Sequence, residues 1–256
     1  MRKPFYACLG LWVQGVRMQV EAVLFDLFDT LILIGEYEIY YPHCLRRLHE
    51  SLVENGVTVP FEDFSRVYFE VRDKFYSESR KSLEEPHFNV RVAQTLQRLG
   101  YKLDDSDPVV MSATLAFAEE FMRYVRLDSE AHEVLQQLSE KYKLGLVSNF
   151  AIPECGRMLL EKFGLRKIFN AVVISGEINR RKPSPEIFKR ALEALNVEAS
   201  KTVFVGDTLD LDVMGPQSVG MRTVFIKRRS MEESTDIKPD RVITRLGELP
   251  HVLEDC

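Results

Sequence analysis

Five short apolar runs constrain the fold of this chain more than any other feature: AVLFD at 22–26, KLGLVS at 143–148, AVVIS at 171–175, TVFVGD at 202–207 and RTVFI at 222–226. They are too short for helices, and they stay apolar without alternating, which is the pattern of strands covered on both faces. A sixth run, RVIT at 241–244, is weaker. Helical patterns separate the later runs: SEAHEVLQQLSEKY, ECGRMLLEKFG, SPEIFKRALEALN and DLDVMGPQSVG. Several of them close on Gly or Asn, as helix ends often do. This alternation, from about residue 129 onward, predicts an α/β fold with a doubly wound parallel sheet.

The stretch from Gly35 to Leu127 lacks buried-strand runs. It carries helical periodicity in HCLRRLHESLVENG, FEDFSRVYFEVRDKFYSES, VRVAQTLQRLG and VMSATLAFAEEFMRYV. It reads as an all-α domain inserted after the first strand, beside the carboxyl ends of the core strands where open α/β sheets bind ligands. The resulting division is an appendage at 1–17, a core at 18–34 and 128–256, and a helical cap at 35–127. MRKPFYACLGLWVQGVR only loosely resembles a signal peptide, because its apolar run is short and no A-x-A-like site follows. Met18 reads as an alternative start.

A net charge of −5 leaves no positive excess to hold a polyanion, so nucleic-acid binding is not expected. No run approaches the roughly 20 apolar residues of a spanning helix, so no membrane partner is expected either. Cys8, Cys44, Cys155 and Cys256 are scattered without C-x-x-C spacing, which suits free thiols in a reducing cytoplasm. A small ligand is the expected partner.

Four segments fall at strand ends or helix starts and can meet in one crevice: Asp26-Leu27-Phe28-Asp29-Thr30, Val147-Ser148-Asn149, Arg180-Arg181-Lys182-Pro183, and Gly206 through Asp212. Each alone has an ordinary explanation, as a turn, a cap or a solvated loop. Together they suit phosphoryl transfer. Carboxylates from the first and fourth segments can share a hard divalent cation such as Mg2+. Ser148 and nearby N–H groups can hold phosphate oxygens, Lys182 can offset gathered charge, and Asp26 can attack phosphorus.

In this order and spacing the four segments resemble the motifs of the haloacid dehalogenase (HAD) superfamily of hydrolases. The resemblance runs from about Glu21 to Leu253, with RKPSPEIF and VGDTLDLD nearly as the family writes them. It implies a Rossmann-like core with a helical cap of the C1 type, acting on a small phosphorylated substrate through an aspartyl-phosphate. It assigns Asp26 as nucleophile and Mg2+ ligand, the Phe28 carbonyl as a second ligand, and Asp207 as a third. Asp212 would bind the metal through water or orient its ligands, and Lys182 would stabilise charge. Thr30 and Ser148 would hold the phosphoryl group, and Asn149, grouped with them, would shape that loop.

Phe28 departs from the family's phosphatases, which generally carry an aspartate there to protonate the leaving alcohol. Dehalogenases of the family lack that aspartate and often place an aromatic residue there, but they resemble one another in small polar residues where this chain has Asp207 and Leu209. Phosphonatases lack it too and rely on a cap lysine; Lys74, Lys81 and Lys102 are the candidates here. The ranking is therefore a magnesium-dependent phosphatase first and a 2-haloacid dehalogenase second. A phosphonatase-like hydrolase or a non-catalytic phosphate-binding protein follows. Asp29 is expected to serve as a turn residue, with a substitute proton donor as its alternative role. Arg72, Arg80, Lys81, Arg91, Tyr37, Tyr40 and Tyr41 are candidates to face the crevice, and Lys227-Arg228-Arg229 reads as a solvated loop.

Overall fold

The computed structural model describes residues 19–228 and 236–254. The expectations for residues 1–17, Met18, Arg229 and Cys256 lie outside the described residues. The chain runs β1 (Ala22–Phe25), β2 (Ile32–Ile34), then four helices, α1 (Tyr37–Glu54), α2 (Phe61–Ser82), α3 (Phe88–Arg98) and α4 (Pro108–Phe121). It returns through β3 (Val125–Leu127) to α5 (Ala131–Ser139), β4 (Lys143–Ser148), α6 (Pro153–Lys162), β5 (Ala171–Ile174), α7 (Ser175–Ile178) and α8 (Pro185–Leu195). The final elements are β6 (Thr202–Gly206), a π-helical turn at Leu209–Met214, α9 (Gly215–Gln217), β7 (Arg222–Ile226), β8 (Arg241–Ile243) and α10 (Leu249–Glu254).

Six strands form a parallel sheet in the order β5-β4-β1-β6-β7-β8. All five strong apolar runs and the weaker sixth are strands of it. β1 lies at the centre, every side chain fully buried, and its alternation divides the core. Ala22 and Leu24 face Phe204 and the Ile187, Phe188, Ala191 and Leu195 stripe of α8. Val23 and Phe25 face the other layer with Val134, Leu135 and Leu138 of α5. The sheet and α8 are close: a Cβ at Gly145 would lie 3.2 Å from a Leu195 methyl carbon of α8, besides 2.5 Å from a Leu24 methyl carbon on the neighbouring strand.

The chain leaves β1 for β4 and β5 on one side and comes back to β6 on the other, so the strand order reverses beside β1. That reversal opens a crevice at the strands' carboxyl ends. Phe25 pairs with both Leu146 and Val205, which brings the residues after β1, β4 and β6 to one level. Asp26, Ser148 and Asp207 follow from this register.

The four inserted helices share one continuous apolar cluster with that face of the sheet, running from Phe25 and Leu27 through Leu45, Leu48 and Phe64 to Phe117. The chain enters and leaves them through an antiparallel ribbon pairing Ile32 with Leu127 and Ile34 with Val125. The sequence reading did not include this ribbon, since three-residue strands leave no periodicity to detect. It also expected a regular helix over 210–220, where the chain instead forms the π-helical turn and then the short α9. Such wide turns are frequent at functional sites.

Leu24→Ala should cost about 2–5 kcal/mol, because the site is walled by packed side chains from two strands and a helix and has little room to collapse. Urea unfolding would read this as a lower midpoint at an unchanged slope.

Candidate active site

Burial at the centre of the site is offset by charge pairing. Lys182 is 2% exposed, and its ammonium donates to Asp26 Oδ1 at 2.5 Å and to Asp212 Oδ1 at 2.7 Å. Burial alone works to lower the lysine's pKa, but Asp212 and Asp26 outweigh it and the net shift is upward. Burial pushes Asp26's carboxyl up to about 7; Lys182 pulls it down, and Asp212 and Asp207 push it further up. Lys182 is thus held charged, and Asp26 depends on its positive surroundings to stay ionised.

The backbone around these groups is set by three devices. Asn149 grips the Lys182 peptide from both sides, its Oδ1 accepting from Lys182 N at 2.7 Å while its Nδ2 donates to Lys182 O at 3.0 Å. Asp212 is turned back by the π-helical turn, its Oδ2 accepting from Thr208 N at 2.9 Å. Gly206 makes that return possible, since a Cβ there would lie 2.4 Å from the Asp212 carboxyl carbon.

One carboxylate oxygen from each of Asp26, Asp207 and Asp212 lies within 4.8 Å of the others. All three donors are hard carboxylate oxygens that converge on one point. The set fits a magnesium-sized cation. Beside it, the hydroxyls of Thr30 and Ser148 are fully buried and have no hydrogen-bond partner. Unpaired buried hydroxyls cost stability unless a ligand oxygen completes them.

The remaining expected residues separate. The Phe28 ring lies with Phe150 at 4.8 Å and Phe121 at 5.8 Å between centroids, in an aromatic group beneath the inserted helices. Asp29 has a positive φ of 53°, and its Oδ1 accepts from Ile34 N at 3.2 Å, the turn role expected of it. Tyr37, Tyr40, Tyr41 and Arg91 line a cavity of about 310 Å³ together with Phe28, Asn149 and Arg181. Arg72 is engaged with Tyr37 Oη and Asp73, while Arg80 and Lys81 border a separate groove. Lys74 faces Glu78 at the surface, and Lys102 is exposed.

Arg228 corrects the expectation of a solvated basic loop after β7. Its guanidinium donates to the carbonyls of Asp29 at 3.1 Å and Thr30 at 2.8 Å, and it pairs with buried Asp128 at 2.8 Å. One side chain therefore holds the loop carrying Asp26 and the segment where the chain re-enters the core. Neighbouring charges in the sequence could not reveal it, because its partners lie 100 and about 200 positions away.

Carboxylates that follow two neighbouring strands, with a buried lysine between Asp26 and Asp212, lie at the strand reversal of a parallel sheet, which places the protein in the doubly wound α/β class. The chain belongs to the haloacid dehalogenase-like hydrolases, whose family pattern matches residues 20–220. It is 30% identical to glyceraldehyde 3-phosphate phosphatase of Methanopyrus kandleri, over 92% of this chain and 98% of that relative. Among solved structures it resembles a 2-haloacid dehalogenase from Pseudomonas syringae pv. Tomato (TM-score 0.69, 26% identity, 93% of this chain and 99% of the other). It also resembles a HAD phosphatase from Thermococcus onnurineus (TM-score 0.62, 27% identity, 91% and 97%).

Cys44 and Cys155 are free and buried, and burial pushes each thiol up to about 12, as suits inert cysteines. Among the described residues no helix is long and apolar enough to cross a membrane.

Arg228→Met should destabilise the protein by about 1.5–3 kcal/mol, the scale of hydrogen bonds to a charged group. Asp128→Asn in the same chain should recover part of that loss. Denaturant unfolding of both single variants and the double variant would measure the coupling, and strictly additive losses would show that the pair contributes nothing.

Proposed function

We propose that this hydrolase is a magnesium-dependent phosphatase of a small phosphate monoester. The observation that carries the reading is geometric: carboxylate oxygens of Asp26, Asp207 and Asp212 converge on one point beside the buried Lys182 ammonium. Hard oxygens so placed suit a divalent cation that would offset the charge of an anionic phosphate, whereas departure of a halide needs no such metal. The relatives named as phosphatases support the same choice.

Asp26 is the nucleophile. Lys182 holds its Oδ1 and leaves the other oxygen to attack phosphorus in line; the bond to the leaving oxygen breaks and an aspartyl-phosphate forms. Water then attacks phosphorus and restores the Asp26 carboxylate. Thr30 and Ser148 hydroxyls donate to phosphoryl oxygens, which completes the two unpaired groups. Asp26, Asp207, Asp212 and the Phe28 carbonyl would hold Mg2+, which supplies charge neutralisation for nucleophile and phosphate. Residues 35–127 act as the cap, admitting substrate and excluding water. Without a carboxyl at Phe28 the enzyme favours leaving groups acidic enough to depart unaided, as in aryl or acyl phosphates. The protein works in the cytoplasm.

Phosphate release from p-nitrophenyl phosphate should require both Mg2+ and Asp26, disappearing with EDTA and in Asp26→Asn. Metal-free chloride release from a 2-chloroacid would instead install the dehalogenase reading, which the aromatic Phe28 favours. Phe28→Asp should raise the rate on an alkyl phosphate relative to p-nitrophenyl phosphate, by up to about 10²-fold if the new carboxyl donates a proton. An unchanged ratio would show that proton donation does not limit turnover.

A further inference from the structure

The cavity between the inserted helices and the strand-end loops holds a charge arrangement that the hydrolytic chemistry does not use. Two arginines and one carboxylate line it: Arg91, Arg181 and Glu85. Arg181 lies 3.5 Å from Glu85, which is 7% exposed. Burial pushes Glu85's pKa upward, against the pull of Arg181 and Arg91. Arg91, also 7% exposed, has no carboxylate within ion-pair distance among the described residues, and its Nε has no hydrogen-bond partner. A buried guanidinium in that state is costly, and its planar fork matches a carboxylate.

Its surroundings are rings. The guanidinium carbon lies 5.0 Å from the Phe88 centroid, 5.2 Å from Tyr76 and 6.0 Å from Phe75, distances at which the ring faces attract a cation and fix its position. Phe28, Tyr40, Phe121 and Phe150 continue the lining toward the nucleophile loop. At about 310 Å³ the cavity sits at the small end of ligand pockets, which bury most of a small molecule's surface behind a few convergent polar groups. Such a lining selects an apolar or aromatic body with one polar end.

We infer that Arg91 is a specificity residue that binds a carboxylate on the leaving group, so that the substrate class is a phosphate monoester whose leaving group has an aromatic or apolar body and a single carboxylate at its far end. This deepens the phosphatase reading and rests on it for the phosphate, but the carboxylate site stands on Arg91 alone. A monoanion matches one guanidinium that, among the described residues, lacks a carboxylate partner and has its Nε free of any hydrogen bond. A second phosphate would bring two charges into a cavity that already holds Glu85.

The test compares phenyl phosphate with its 3-carboxy and 4-carboxy derivatives under Mg2+, and follows benzoate binding by protein NMR independently of turnover. The wild-type protein should favour a carboxylated ester in kcat/KM by about 10- to 100-fold, the scale of a charged hydrogen-bonded pair. Arg91→Met should collapse that ratio, Arg91→Lys should keep part of it, and benzoate shifts at the cavity residues should vanish in Arg91→Met. A wild-type protein that prefers neither carboxylated ester and does not bind benzoate overturns the inference without any variant. Equal losses on all esters in a folded Arg91→Met also overturn it, leaving Arg91 a packing role. If no ester turns over while benzoate binds in an Arg91-dependent way, the phosphatase reading fails and the carboxylate site stands.

Discussion

The Lys182 ammonium, buried between Asp26 and Asp212, is the interaction on which the rest of the site depends. A lone lysine at that depth would deprotonate or draw in water, and two lone carboxylates would repel each other. Paired, they hold three chain segments together: the end of β1, the loop before α8 and the turn after β6. Asp207 brings a third carboxylate oxygen within 4.8 Å of theirs. The pairing that fixes the geometry of these segments therefore also sets the carboxylates where the proposed Mg2+ would be held.

Phe28 changes character once its neighbours are known. As a residue two places after the proposed nucleophile, it looks like the loss of a proton donor. In the fold its ring belongs to the aromatic wall with Phe150 and Phe121, continuous with Tyr40 on α1. The position carries a ring of the cavity lining rather than a carboxyl. In the proposed phosphatase reaction that suits a leaving group that needs little help to depart, or a proton supplied from outside this loop.

Strand runs and the four chemical segments were legible in the sequence because both are local: apolar runs mark buried strands, and a parallel sheet puts their ends on one side. Helices α1 to α4 were legible for the same reason, to within a few residues at their ends. What escaped was set by long-range geometry. The ribbon of β2 and β3 exists only because two distant triplets meet, and the π-helical turn exists because Asp212 must point back toward Thr208. Arg228 sat in a basic run whose appearance was that of solvated charge, and only the fold brings Asp29, Thr30 and Asp128 to it. Arg72, Arg80 and Arg91 were indistinguishable as helical cations; Arg72 also lies over rings but pairs with Asp73, and it is deeper burial without a carboxylate that sets Arg91 apart.

Chemistry and recognition are joined in this fold by adjacency along the chain. Phe28 follows Asp26 by two residues, Asn149 follows Ser148, and Arg181 precedes Lys182; in each case one residue belongs to the proposed reacting centre and its neighbour lines the cavity. The inserted helices are tied to these same loops, through Phe88 N to Ala151 O at 2.8 Å and Arg181 N to Leu83 O at 3.0 Å. A ligand that presses on the cavity wall therefore acts on backbone within two residues of the groups that would perform catalysis. Small misplacements there are expensive, since about 1 Å can cost a hundredfold in rate. In the proposed reaction, selection of the leaving group and alignment of Asp26, Ser148 and Lys182 would therefore be two effects of the same three loops rather than separable functions of cap and core.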